Sequence, residues 1–273
     1  MGASKRSSSL AKTITFNVMI KRLIECLLVL FGRKKPIQPP VPVIFDPIIA
    51  GYKLKTSWDW QKNLFYWGEL DWREPWSFPD NTRKGNTIWK KECVEQKFDG
   101  LHLIAYRKGN NNECGMISSH RCMELQYGFI EVSCKMPPNG FLYFPAIWMY
   151  NKLGWQPEID IVELMGPDSK SAAMTHHWVG PDGNDVSEGY TKHFDFDLSL
   201  DFHKYAVEWT KTKLTWYIDR IAYYSTENNI PDVPLFLICN IQSGGIEGAF
   251  NHLFAKHEVP TSMIVNEIKI WTK

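Results

Sequence analysis

The sequence predicts an all-β domain, on three observations. From Asn86 onward, short apolar runs are separated by turn residues. One of these runs, Gly128–Lys135, alternates cleanly with a period of two. No stretch holds the 3.6-residue apolar spacing of a long amphipathic helix. Many short strands in one domain mean a β-sandwich or a barrel. The 273-residue chain is 44% hydrophobic and 14% aromatic, enough for a large core. Its 12 Trp also leave aromatic rings for surface work, because Trp is seldom placed for packing alone.

Along the chain, Pro36-Ile-Gln-Pro-Pro-Val-Pro42 reads as an extended linker, and the folded domain is expected from about Phe45. Leu101–Tyr106 is a strand. Gly128–Lys135 alternates cleanly and stops at the turn Pro137-Pro-Asn-Gly140. Phe141–Tyr150 is an apolar strand. Tyr205–Thr210 and Lys213–Asp219, joined by a short polar turn, form a hairpin, and Asp219-Arg220 reads as a turn. Pro234–Asn240 and Val265–Trp271 complete the set. There is no internal repeat.

Residues 1–44 form a basic tail and linker with features of a targeting segment. Residues 1–35 hold eight Lys or Arg and one acid, a net +7 that leaves about −6 for the rest of a chain of net +1. That balance gives no electrostatic case for nucleic acid. Leu23–Phe31 is too short for a transmembrane span. Glu25 inside that run and Arg33-Lys34-Lys35 after it depart from a signal peptide. Six cysteines (Cys26, Cys93, Cys114, Cys122, Cys134, Cys239) show neither zinc spacing nor the density of a disulfide scaffold. Cys134 and Cys239 lie in strand-like runs and read as buried thiols.

The chemistry is concentrated in Pro157-Glu-Ile-Asp-Ile-Val-Glu-Leu-Met-Gly166. On a strand, Glu158 and Asp160 share a face, but Glu163, five steps on, falls on the other. A β-bulge at Ile161-Val162 would reset the alternation and bring all three carboxylates together. The two Glu residues would then be four strand steps apart, about 13 Å between Cα atoms. Long side chains leaning together can close that to the roughly 5–5.5 Å of a retaining glycosidase. The bland alternative is a wet strand with its acids in solvent.

Glu158-Ile-Asp-Ile-Val-Glu163 resembles the Glu-x-Asp-x-x-Glu signature of glycoside hydrolase family 16. Further stretches match in the family's order: Tyr127–Pro137, Phe144-Pro-Ala-Ile-Trp-Met149, Thr175-His-His-Trp178, Asp201–Trp209, Trp216-Tyr-Ile-Asp219 and Leu237-Ile-Cys-Asn240. The resemblance implies a β-jelly-roll sandwich of two curved antiparallel sheets with a concave substrate cleft, over residues 45–273. It implies Glu158 as nucleophile, Glu163 as acid/base and Asp160 as helper. Trp148 corresponds to the family's sugar-stacking Trp, with Phe144, His177, Trp178 and Asn240 as further substrate contacts. The five-step spacing is similar to the laminarinase, agarase, porphyranase and κ-carrageenase branch; lichenases and xyloglucan-active enzymes have one residue fewer.

By the same resemblance the chain is an endo-acting retaining hydrolase of a β-linked polysaccharide, first a β-1,3- or mixed-linked glucan. A β-galactanase of the agarase, porphyranase or carrageenase type is the alternative. A transglycosylase or a non-catalytic carbohydrate-binding protein would use the same scaffold. A secreted or cell-surface location is implied by the resemblance, and a monomer is expected. The chemistry needs no cofactor. Many family members bind a structural calcium through an early acidic-Gly stretch and a late Asp. Here the early stretch has no match and Asn266 holds the late position, so no metal is expected.

Overall fold

The computed structural model describes residues 44–62, 87–108, 111–120, 123–138, 143–151, 154, 156–164, 168–243 and 260–273. The basic tail, the Pro-rich linker, Cys26 and Cys122 lie outside the described residues, as do Asn139 and Gly140 of the turn. The described residues form sixteen strands and no α-helix. The first eight are β1 (Lys53–Asp59), β2 (Thr87–Trp89), β3 (Val94–Lys97), β4 (Gly100–Lys108), β5 (Asn111–Cys114), β6 (Met116–Ser118), β7 (Gly128–Lys135) and β8 (Tyr143–Tyr150). The rest are β9 (Glu158–Glu163), β10 (Ser171–Val179), β11 (Asp185–His193), β12 (His203–Trp209), β13 (Leu214–Ile218), β14 (Ile221–Thr226), β15 (Phe236–Ser243) and β16 (Thr261–Thr272).

Two sheets result. The six-stranded sheet runs β11-β10-β9-β8-β15-β6. The ten-stranded sheet runs β14-β13-β12-β7-β16-β4-β5-β2, with β1 beside β16 and β3 beside β4. Every pairing among the described residues is antiparallel except the edge pair β2 and β5, which is parallel. The parallel pair involves a three-residue strand on a sheet edge, and the two sheets are otherwise antiparallel as expected. Between the sheets lies one apolar core. It takes alternate residues from each strand: Ile130 and Val132 of β7, Trp209 of β12, Leu214 and Trp216 of β13, facing Ile147 and Met149 of β8 and Leu237 and Cys239 of β15. Cys93, Cys114, Cys134 and Cys239 are buried free thiols, and burial pushes Cys134 and Cys239 above the usual thiol range.

Sequence reasoning missed the short strands β2, β3, β5 and β6, and also β1, β11 and β14, whose side chains are mostly part-exposed and lack a clean apolar alternation. The Asp219-Arg220 turn is present, and both residues take positive φ, 51° and 62°. That is the backbone of a two-residue hairpin of the tight primed type. It places Arg220 against the buried Glu131, with Nε to Oε2 at 2.8 Å.

The outer face of the large sheet is covered by the segment that enters it. Phe45 stacks on Phe129 and tilts on Tyr217, both at 4.8 Å, and Tyr52 donates its hydroxyl to Glu208 at 2.8 Å. Phe129, Tyr217 and Trp271 are thereby buried on a face that would otherwise meet water. A chain beginning at Pro42 should therefore unfold at the same temperature as the full chain. A chain beginning at Lys53 should lose about 5–10 °C in a thermal scan. Equal midpoints for the two truncations would show that this cover contributes nothing.

Candidate active site

The register of β9 answers the counting problem posed by its three acids. Against β8, Tyr150 pairs with Glu158, Trp148 with Asp160, Ile147 with Val162 and Ala146 with Glu163; Ile161 has no partner. Against β10, Thr175 pairs with Asp160 and Ala173 with Glu163, so the single residue Met174 opposes Ile161 and Val162. This is a β-bulge. Ile161 and Val162 both enter the core, 1% and 0% exposed. Glu158, Asp160 and Glu163 share the opposite face, where Glu158 and Asp160 are 8% and 1% exposed. The freed main chain is not left unsatisfied: the carbonyl of Asp160 accepts the Trp216 indole N–H from the other sheet, at 2.8 Å.

The neighbours of the acids are set by the same registers. Toward β8 and β15 the face is aromatic. Trp148 stacks on Tyr150 at 4.9 Å and 11°, and Tyr150 tilts onto Phe236 at 4.4 Å. Met116 and Ile238 extend this apolar platform. Asn240 accepts the Trp148 indole N–H at 2.7 Å, which fixes the ring beside Asp160. Phe144 pairs with Gln242 on the same face. Toward β10 and β11 the face is polar. His177 pairs with Glu158 and sends Nε2 to 3.3 Å from Asp160 Oδ2. Its Nδ1 lies 3.3 Å from Asp185 Oδ1.

Glu158, Asp160, Glu163, Trp148, Phe144, His177 and Asn240 are thus brought to one face. Trp178 is not. Alternation along β10 puts it with His176 on the opposite side, their rings 5.0 Å apart. The expected substrate contact at Trp178 is corrected accordingly. Asp185, Tyr150 and Phe236 went unnoticed in the sequence. Asp185 had a legible signal, because Val179-Gly-Pro-Asp-Gly-Asn-Asp185 carries the turn residues of a hairpin. The pairing of Val179 with Asp185 brings that acid next to His177.

Electrostatics divide the roles. Burial, then the charge of Glu158, raise the Glu163 carboxyl to about 8, so it holds its proton at neutral pH. Burial and the charge of Glu163 also raise Asp160, while His177 acts in the opposite direction. For His177, burial favours the neutral ring, but the carboxylates of Asp160, Glu158 and Asp185 outweigh it and raise the ring to about 9. His176, buried and beside that cation, is lowered to about 4. One donor atom each of Glu158, Asp160 and His177 lie within 4.8 Å of one another, a spacing that fits a metal ion. The imidazolium already supplies the positive charge such an ion would bring.

The residues around Asn266 are engaged within the chain. The Asn266 carbonyl accepts the Trp60 N–H at 3.0 Å. Glu267 and its cross-strand partner Asp59 are engaged by Lys269 at 2.6 Å and Lys62 at 2.7 Å. The Asn266 Oδ1 is buried without a hydrogen-bond partner. A calcium chelator should shift the thermal midpoint by less than about 1 °C; a drop of several degrees, reversed by calcium, would refute this.

The Glu163 shift has a sign that can be checked. A carboxyl raised in the folded state contributes stability that is fully present below its unfolded value near 4.5 and lost as pH rises through about 8. Glu163→Gln removes the ionisable group. The variant should therefore lose less stability than the parent between pH 6 and pH 9, read by urea unfolding. Parallel pH profiles for the two proteins would show that Glu163 titrates normally.

Comparison with known proteins adds to this geometry. The family model described as glycosyl hydrolases family 16 matches residues 81–258. Endo-1,3-1,4-beta-glycanase ExsH of Rhizobium meliloti (strain 1021) is 32% identical over 143 residues, which cover 51% of this chain and 30% of that protein. A beta-glucanase of Paenibacillus polymyxa is 26% identical over 207 residues, 71% of this chain and 83% of that one. The chain spans less than a third of the length of the two Rhizobium meliloti relatives it matches. Among solved structures, the laminarinase catalytic domain of Thermotoga maritima MSB8 superposes with a TM-score of 0.68 at 21% identity, covering 81% of this chain and 98% of that one. Laminarinase from Flavobacterium sp. UMI-01 gives 0.67 at 25% identity, covering 81% and 100%. The two-sheet sandwich is therefore a β-jelly roll.

Proposed function

The chain belongs to glycosyl hydrolases family 16, and on that premise we propose that it is an endo-acting, retaining hydrolase of a neutral β-1,3- or mixed-linked glucan. One observation carries the substrate class. Three acids stand on a face whose other described positions are aromatic, aliphatic, small or neutral polar, apart from His177, Asp185 and His193. None of the residues that the strand registers place there is Lys or Arg. A sulfated galactan would need cations to meet its sulfates. A neutral glucan needs aromatic faces and hydrogen bonds, which Trp148 and Tyr150 supply. The names of the Rhizobium and Paenibacillus relatives point the same way.

Glu158 attacks the anomeric carbon and forms a glycosyl-enzyme bond as the bond to the leaving oxygen breaks. Glu163 gives that oxygen its proton, then takes one from the water that attacks the same carbon and frees Glu158. The two displacements restore the starting configuration. The division of labour suits the environments: Glu163 is proton-loaded, while the Asp160–His177 pair stands on the Glu158 side of the bulge. The face needs no second copy of the chain, so a monomer suffices. Among the described residues, no helix is long and apolar enough to cross a membrane.

Glu158→Ala should abolish hydrolysis of polysaccharide, and azide, entering the face that Glu158 vacates, should restore cleavage of an activated β-aryl glycoside and leave an α-glycosyl azide. Glu163→Ala should spare substrates with good leaving groups, whose oxygen needs little protonation. Product sizing on mixed-linked and β-1,3-glucans, against carrageenan, porphyran and agarose, tests the substrate class. Cleavage confined to a sulfated galactan, or products of inverted configuration, would overturn the reading.

A further inference from the structure

Building on the proposed roles of Glu158 and Glu163, we infer that Trp216, on the opposite sheet, is a positioning residue for the acid/base carboxyl: its indole N–H holds the bulge that turns Glu163 to the cleft. The bond from Trp216 Nε1 to the Asp160 carbonyl, 2.8 Å and buried, crosses the core between the sheets. Its acceptor lies immediately before the extra residue, Ile161. In a regular strand that carbonyl would bond to β8 or β10. Taken by the indole, it is directed into the core instead.

The donor is held firmly. Trp216 is fully buried, pairs with Val207 on one side and Tyr224 on the other, and its ring tilts on Tyr224 at 5.0 Å. The register of β13 with β14 shifts immediately after Trp216, where Tyr223 is the extra residue. A bulged pair on one sheet thus stands beneath the bulge on the other.

The consequence for chemistry comes from register. Glu163 shares a face with Glu158 only while Ile161 and Val162 both point into the core. If the bulge relaxes or migrates, the residues after it turn over by one position. Glu158 and Asp160 precede the extra residue and keep their places; Glu163 comes after it and does not. Loss of the indole bond should therefore injure proton transfer more than nucleophilic attack or substrate binding.

The test replaces Trp216 with 3-benzothienylalanine, which keeps the ring shape but lacks the N–H, and with 7-azatryptophan, which keeps it. On mixed-linked β-glucan the benzothienyl protein should lose at least about tenfold in kcat with KM within about twofold. The loss should shrink on an aryl glycoside with a good leaving group, and the alkaline limb of the pH profile should move. Azatryptophan should restore kcat. A lowered thermal midpoint with unchanged kcat, leaving-group dependence and pH profile would overturn the inference and leave the bond purely structural. Should the parent protein cleave no β-glucan, the functional reading fails by itself. The inference is then decided without substrate, by the titration of 13C-labelled Glu163: a curve displaced in the benzothienyl protein supports it, and superimposable curves overturn it.

Discussion

Ile161 and Val162 both face the core, and this single departure from alternation is the constraint on which the cleft depends. It moves Glu163 from the buried side of β9 to the side of Glu158 and Asp160. It also frees main-chain groups that a regular strand would satisfy. A buried carbonyl without a partner costs about 1–3 kcal/mol; here Trp216 supplies the donor from across the core. The sandwich thus contributes more than a support. Its far sheet reaches the reacting face through one indole.

The three acids create a second requirement. Three carboxylates this close repel one another, and burial makes each charge harder still to hold. The structure meets this in two ways. Glu163 keeps its proton, and the imidazolium of His177 lies between Asp160 and Asp185. His177 reaches its place because β10 pairs with β9, and Asp185 because a tight hairpin leaves β10. On the other flank, Asn240 and Tyr150 hold the Trp148 ring in the cleft wall. The face is charged at its centre and aromatic on one side.

Much of this was legible in the sequence. Apolar runs bounded by turn residues marked the central strands β7, β8, β12 and β13, most of whose residues are buried. The bulge was legible because three acids at offsets of two and three make chemical sense only on one face. The rest was hidden for physical reasons. β1, β11 and β14 lie at sheet edges or pair along only one side, and edge strands carry little apolar pattern. Trp178 was misplaced because a motif match ignores the parity that sends neighbours to opposite faces. The Trp216 bond joins residues 56 apart in the chain, and nothing local in either segment announces it.

The claim at the centre is that Glu158 forms a covalent bond to sugar while Glu163 handles the proton. Incubation with a 2-deoxy-2-fluoro glucan glycoside bearing a good leaving group should trap the glycosyl-enzyme, because the fluorine slows its breakdown. Mass spectrometry of the digested protein should then place one glycosyl group on Glu158. A label on Glu163, or an unlabelled protein that still cleaves its natural polysaccharide, would contradict the assignment and the account of the bulge that rests on it.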